Sequence, residues 1–458
     1  MPLLPRQGGA AEPFNPLPCT QEDCQPMTTA LPNLTVLDLT QGLSGPFCSM
    51  LLGDLGARVL KVEPLAGDWA RQLEPRQGAH SAVFLALNRN KESLALDYHT
   101  PAGRDVLYRL TQHVDMVLYD ASPAQARTLG LDYATLVTHH SQLIYGLLTP
   151  FGEHGYPRYL GVQGQEPLRL GLDAASMAGG VFLLQGLLAA WFYRQRGGSG
   201  QYVTVSQLGA LYALKTLQIA AQYNPDSWEG YHCWGPYNPP ETGWQTQDRP
   251  MVFAFGEFTG GGPDKQSQWP AFCRTLGLDH LLDDPRFAPD GKNSTGLGAD
   301  VAPLRALYEE VFRHYPASAL VDLIRHLEGA AYPYHTYTTL FADVQAQALG
   351  LLQRLPGPDG ELQSIKNPWN FSTLRPVLRC GPPPLGNATE TVLTAIGYDA
   401  AQRQQLYAAG LVAGLQDSTP AALPLSRKSL PAGAHAPAFV SHRGGPLAGI
   451  RVMDISGL

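Results

Sequence analysis

The sequence predicts an α/β protein whose larger part is a doubly wound, mostly parallel sheet. Three observations carry this. Short apolar runs of strand character alternate with helix-periodic segments from residue 35 to about 150. Turn residues and helix caps separate them at the spacing of β-α-β units. Apolar residues make up 44% of the 458, enough for a substantial core, while 48 Gly and 39 Pro imply much loop.

The run TVLDLT (35–40) is rich in residues that favour a strand, and QGLSG (41–45) supplies a turn. Pro46 suits a first helical turn, FCSMLLGDLG (47–56) has helical spacing, and Gly56 ends it. ARVLKVEP (57–64) reads as a second strand, broken by Pro64. SLALDY (93–98) is a third strand, after which Thr100 caps a helix with Pro101 at its first position. DMVLYD (115–120) and QLIYGLLT (142–149) read as further buried strands. The turn after the first strand is not a G-x-G-x-x-G dinucleotide fingerprint, although Glu63 nominally ends the second strand with an acid.

The pattern from 173 to 222 is mainly helical, with GSGQYVTVS (198–206) as a turn and strand within it. Residues 223–250 are aromatic, Pro-rich and loop-like, and read as packing over a partner module. MVFAFG (251–256) is a strand; helical patterns at 267–277, 302–313 and 317–328 indicate a smaller second domain. Two helices follow within 390–412. Residues 413–445, rich in Ala, Pro, Ser and Gly, read as a linker. Beyond it, residues 450–456 repeat the residue types of 34–40 after a shift of 416 positions (450 minus 34). Residues 446–458 are therefore read as the first strand of a second, truncated copy.

With 32 Lys and Arg against 39 Asp and Glu, the net charge of −7 argues against a nucleic-acid binder, which presents a basic face. No apolar run reaches the ~18 residues of a membrane span, and MAGGVFLLQGLLAAWFY (177–193) is read as a buried helix. Residues 1–30 lack the charged start and apolar middle of a signal peptide and read as a disordered tail. Six scattered Cys suit a reducing, cytoplasmic setting. No metal site is expected: Cys19 and Cys24 have no companion pair, and the adjacent His139 and His140 do not face one way on a helix. Gly260, Gly261 and Gly262 read as a flexible loop, with a mobile lid as the alternative.

VLDLTQGLSGPFCSMLLGDLGARVLKVEPLAGDWAR (36–71) resembles the opening of the family III CoA-transferases, the CaiB/BaiF family. FLALNRNKESLALDYHTPAGRDVLYRL (84–110), LIYGLLTPFGEHG (143–155), AAWFYRQRGGSGQYVTVSQLGAL (189–211), WPAFCRTLGLDHLLDDPRF (269–287) and PPPLGNATETVLTAIGY (382–398) follow in that family's order. The resemblance runs from about 34 to 412 and is closest to the N-terminal module of a tandem member. It implies a Rossmann-like large domain built from both chain ends, 31–222 and 346–412, with a smaller α+β domain at 223–345. It also implies an interlocked dimer, with a homodimer or a fused second module as partner.

The resemblance further implies acyl-CoA:carboxylate CoA transfer, with coenzyme A as co-substrate, a small carboxylic acid as acceptor and no permanently bound cofactor. A nucleophilic Asp in that family attacks the thioester. Here no Asp occurs from 152 to 172; Glu153 and Glu166 are the carboxylates of that stretch, and Asp173 matches a different family position. Read without the family, Asp173 is an acid at a helix N-terminus. By resemblance Leu43, Ser44 and Pro64 line the CoA nucleotide, and Lys91, with Arg89 beside it, lies near the CoA phosphates. Read alone, Asn88-Arg89-Asn90-Lys91 is a solvated polar turn. Other departures are DASPA (120–124) in place of Asn-Phe-x-Pro-Gly, Arg127 one position from a family Arg, and Ala388 where a His is usual. The reading is thus a CoA-thioester module, one half of a tandem enzyme whose nucleophile lies in the other half. A catalytically inactive CoA-binding module and an acyl-CoA racemase or isomerase are the alternatives.

Overall fold

The computed structural model describes residues 29–150, 173–214, 216, 243–255, 268–284, 301–357, 360–374, 376 and 378–414. The readings made of residues 1–28, the carboxylates Glu153 and Glu166, the Gly260–Gly262 loop, most of 223–250, and nearly all of 413–458 lie outside them.

Six parallel strands form the frame: β1 (Thr35–Asp38), β2 (Arg58–Glu63), β3 (Lys91–Leu96), β4 (Met116–Tyr119), β5 (Ile144–Thr149) and β6 (Tyr202–Ser206). Their order across the sheet is β3-β2-β1-β4-β5-β6. β1 is central, pairing with β2 through Leu37 and Leu60 and with β4 through Leu37 and Val117. A parallel sheet must be covered on both faces, and alternation along a strand sends neighbours to opposite sides. Leu37, Leu60, Val62 and Val117 join the core under helix α2 (Pro101–Thr111). Val36, Val59, Met116 and Ile144 join the opposite core, under α1 (Ser44–Asp54) and α3 (Ala174–Gln195). Each such fully buried aliphatic side chain contributes about 1.5–3 kcal/mol.

Three further antiparallel pairs lie outside this frame among the described residues, the shortest joining Arg76–Gln77 to His80–Ser81. Strands β7 (Met251–Ala254) and β8 (Ala330–Pro333) carry a third core, aromatic in character. Trp244 meets Tyr308 edge-on at 5.1 Å there and is fully buried. That end of the aromatic segment therefore belongs to this chain's own core rather than to a partner-facing loop. Strands β9 (Leu352–Gly357) and β10 (Gly360–Ile365) form a hairpin. The chain then returns to the main sheet. Strand β11 (Val412–Ala413) pairs antiparallel with Leu96 and Ala95 of β3 and so covers that edge.

Two expectations change. The apolar helix is longer than read, Ala174–Gln195, and only one face is buried. Leu183 and Leu187 are inside, whereas Val181 and Phe192 are 36% and 41% exposed. Among the described residues it is the one helix long and apolar enough to cross a membrane, with 39% of its most apolar window buried. The Asn88–Lys91 turn is not solvated: all four residues are buried, and Asn90 takes φ 61°.

Glycine brings α3 against α1. A Cβ at Gly180 would stand 2.7 Å from the Ser44 carbonyl oxygen and 3.1 Å from the Phe47 ring. Gly180→Leu should therefore overpack this crossing and cost about 1–3 kcal/mol, read as a lower urea midpoint at unchanged slope.

Candidate active site

The strand order reverses at β1, with β2 and β3 to one side and β4 to β6 to the other. In open α/β sheets the crevice outside the carboxyl ends of the strands at such a reversal takes ligands. A cavity of about 440 Å³ lies there. Leu39, Gln41, Leu43 and Ser44 enter from the β1–α1 turn; Tyr98 and His99 follow β3; Tyr119 and Asp120 end β4. Leu148 and Thr149 end β5, Ser176 comes from the first turn of α3, and Gln207 follows β6. Trp69 stands at the rim, 51% exposed.

The β1–α1 turn is held by carboxylates from three elements. The Thr40 N–H donates to Asp38 Oδ1 at 3.0 Å, the Gln41 N–H to Asp120 Oδ2 at 2.8 Å, and the Gly42 N–H to Asp68 Oδ1 at 2.9 Å. Gly42 takes φ 78°, and a Cβ there would run into the Trp69 indole, so the turn needs glycine on both counts. The Thr40 carbonyl accepts from Lys61 Nζ at 2.8 Å, and Lys61 also pairs with Asp68 at 2.8 Å.

Beneath the turn the charges are wholly enclosed. Asp38 accepts from the Ser49 hydroxyl at 2.6 Å and from Lys91 Nζ at 3.1 Å. Burial by itself would raise the Asp38 carboxyl, but Lys91 and Lys61, with the Ser49 and Thr40 hydroxyls, hold it well below the usual carboxylate range. Burial lowers Lys91 to about 8, despite Asp38 beside it. Its ammonium donates to Asp38, to the Pro46 carbonyl and to Asn88 Oδ1, the last two at 2.9 Å. Three donors thus meet three acceptors inside the protein.

A second clasp ties the returning chain to this base. Glu63 accepts from Arg71 at 2.7 and 2.8 Å and from the Ser93 hydroxyl at 2.6 Å. Arg71 reaches on to the Pro383 carbonyl, and Ser93 Oγ accepts the Gly386 N–H. Burial works against the Glu63 charge, but Arg71, Lys61 and Ser93 bring its carboxyl below the ordinary value. Arg89 makes a forked pair with Asp54, 2.7 Å at its shortest, and donates to Ser364 on β10.

Of the residues singled out in the sequence, Leu43 and Ser44 line the cavity, and the Ser44 hydroxyl accepts from the Gln207 side chain at 2.6 Å. Pro64 is half-buried and not among the lining residues, and its carbonyl accepts the Gly67 N–H. Arg89 and Lys91 do not reach the cavity. Each cation is buried and bonded within the chain. Asp173 is exposed at the N-terminal end of α3 and makes no side-chain cap. The departure at DASPA is not a disrupted turn, since Ser122 caps the helix Pro123–Leu129.

Asp120 is a candidate site residue that the sequence reading does not single out: among the described residues it is the acidic side chain on the cavity wall. Burial pushes its carboxyl up to about 7; the Gln41 N–H and Lys61 pull it down, while Asp38 and Asp68 push it further up. The signal available in the sequence was an acid directly after an apolar strand, MVLYD, that lies beside β1 in the sheet.

Two predictions follow from this charge arrangement. Lys91→Met leaves Asp38 without its nearest counter-ion in a dry site and should cost about 3–5 kcal/mol in a urea titration. Asp120 binds its proton more tightly folded than unfolded, its pKa rising from 3.8 to about 7. Its stabilising share is thus complete below pH 3.8 and lost as the pH rises through about 7. Asp120→Asn, which mimics the protonated acid, should lose less melting temperature between pH 5 and pH 8 than the wild type.

Comparison with known proteins agrees with this architecture. The profile of CoA-transferase family III matches residues 31–160 and 153–389. An acyl-CoA transferase of Fusarium pseudograminearum is 29% identical over 407 residues, covering 81% of this chain and 86% of that one. A succinyl-CoA:glutarate CoA-transferase of Mus musculus is 27% identical over 419 residues, covering 86% and 92% respectively. The crystal structure of a CaiB/BaiF family protein from Brucella suis superposes with a TM-score of 0.70 at 26% identity, covering 80% of this chain and 99% of the other. This chain belongs to CoA-transferase family III.

Proposed function

We propose that the chain binds a CoA thioester at the carboxyl ends of β1, β4 and β5 and serves as an acyl-CoA:carboxylate CoA-transferase module. The observation that carries this is the cavity at the strand-order reversal, walled by Leu43 and Ser44 at the N-terminus of α1. Amide groups and the helix dipole favour an anion there. On this reading the sheet is the family's Rossmann-like core, 31–222 and 346–412 form the large domain, and 223–345 forms the small one. CoA is a co-substrate.

Transfer of CoA between acids proceeds through a carboxylate nucleophile. It attacks the thioester carbonyl, the C–S bond breaks, and the thiolate leaves a mixed anhydride. The thiolate then attacks the enzyme-side carbonyl, releasing the first acid and leaving CoA on the protein. The acceptor carboxylate reverses the sequence. We assign the nucleophile to a second module of the same fold, interlocked with this one. Two features support this: the recurrence of the β1 phrase at 450–456, and the uncovered apolar side chains Val181, Phe192, Tyr212 and Leu214 along α3 and the following helix.

The test is thioester trapping. The protein is incubated with an acyl-CoA, digested, and searched by mass spectrometry for CoA adducts. Saturable CoA binding without an adduct on this chain is the expected result. An adduct on Asp120, Glu153, Glu166 or Asp173 would place the nucleophile in this chain and overturn its assignment to a second module. Absence of any CoA binding would remove the transferase reading.

A further inference from the structure

Glu63 ends β2 wholly enclosed, and donors from the segment after β2 and from β3 meet its two oxygens. Oε2 accepts the Asp68 N–H at 2.9 Å and Arg71 Nε at 2.7 Å. Oε1 accepts Arg71 Nη2 at 2.8 Å and the Ser93 hydroxyl at 2.6 Å. A carboxylate offers about four lone-pair sites, so Glu63 is filled. It does not line the cavity. Its bond to the Asp68 amide is the one that leads there.

Asp68 turns that bond into geometry. Its Oδ1 accepts both the Gly42 N–H at 2.9 Å and the Ala70 N–H at 2.8 Å, and its Oδ2 pairs with Lys61 at 2.8 Å. One oxygen thus joins the β1–α1 turn to the helical turn Trp69–Gln72. The Trp69 indole fills the place that a Cβ on Gly42 would take. The spacing between Trp69 and the wall of Leu43 and Ser44 therefore depends on where Asp68 stands. Glu63 holds Asp68 by its main chain and Arg71, three residues on, by its side chain. The far side of the clasp is the returning chain. Arg71 Nη2 donates to the Pro383 carbonyl at 3.1 Å, Ser93 Oγ accepts the Gly386 N–H at 3.0 Å, and the Ser93 N–H donates to Asn387 Oδ1 at 2.9 Å.

We propose that Glu63 is a positioning residue for CoA binding: by way of the Asp68 amide it sets Asp68, and Asp68 sets the Gly42 amide and the Trp69 rim. This rests on the CoA-thioester reading above and adds a residue outside the cavity to it. Bonds to a charged acceptor are the stronger ones. Glu63→Gln puts an amide nitrogen, which accepts nothing, where one oxygen stood, so two of the four donors lose their acceptor. A Glu63 that served the fold alone would, when replaced, lower stability and leave the affinity of the folded protein as it was. A Glu63 that positions the turn would change the affinity and the protection of the turn together.

The test combines calorimetric titration of free coenzyme A into the full chain with amide hydrogen exchange read by mass spectrometry. Glu63→Gln should raise the Kd for CoA about tenfold, and the stretch 39–47 should exchange about threefold faster or more. Ser93→Ala keeps the carboxylate and its Arg71 partner but cuts the link to Gly386. It should weaken binding about threefold, and it decides the matter if Glu63→Gln does not fold. Arg194→Met is the control for lost stability, since it breaks a buried ion pair with Asp115 at the opposite end of the sheet. It should lower the urea midpoint and leave the Kd within about twofold and the exchange of 39–47 unchanged. An unchanged Kd in the folded Glu63→Gln or Ser93→Ala protein, a weaker Kd without faster exchange at 39–47, or an equal loss of affinity in Arg194→Met would each overturn the assignment. Failure of the wild-type chain to bind CoA is a separate result, and it removes the transferase reading itself.

Discussion

Three successive amide groups, those of Thr40, Gln41 and Gly42, each donate a hydrogen bond to an aspartate from a different part of the chain. Asp38 belongs to β1 itself, Asp120 ends β4, and Asp68 follows β2. This fixes the turn from which α1 starts, and therefore the cavity wall formed by Leu43 and Ser44. A backbone donor left unpaired in such a place costs as much as a lost hydrogen bond. The turn thus has one arrangement that satisfies it. The carboxylates that do so require cations, and Lys61 and Lys91 supply them from the neighbouring strands. Replacing a buried ionic set by apolar side chains of the same shape is often neutral or stabilising, so the set is best understood as holding geometry rather than adding stability.

The same base joins the two ends of the described chain. Arg71, Glu63 and Ser93 form a clasp that reaches the carbonyl of Pro383 and the amide of Gly386. From there the chain runs through helix Thr389–Ala395 to the short strand at Val412–Ala413, which closes the β3 edge. Segments about three hundred residues apart are therefore tied together by these hydrogen bonds.

The strands and the alternation of the large sheet were legible because each carries a local signature. TVLDLT, ARVLKVEP and MVLYD are apolar and rich in residues that fit a pleated surface, and Thr100-Pro101 marks a helix start by chemistry confined to two residues. The site was less legible. Leu43 and Ser44 line the cavity because they sit in a turn whose location is set by the strand before it. The burial of Arg89 and Lys91 was not legible, since a polar turn next to a strand looks solvated until Asp54, Asp38 and the β10 hairpin close over it. Asp120 was hidden by the opposite effect: within a short departing segment it is one polar residue, and only the tertiary structure sets it beside the Gln41 amide.

By itself the sequence determined the α/β class, the position of the βα turns and the family, because these depend on short-range pattern and on ordered runs of residues. The tertiary structure decided which charges are spent inside the protein and which face the cavity. That distinction depends on burial and on partners brought together from distant strands, and a charge has no fixed role until its surroundings assign its counter-ion.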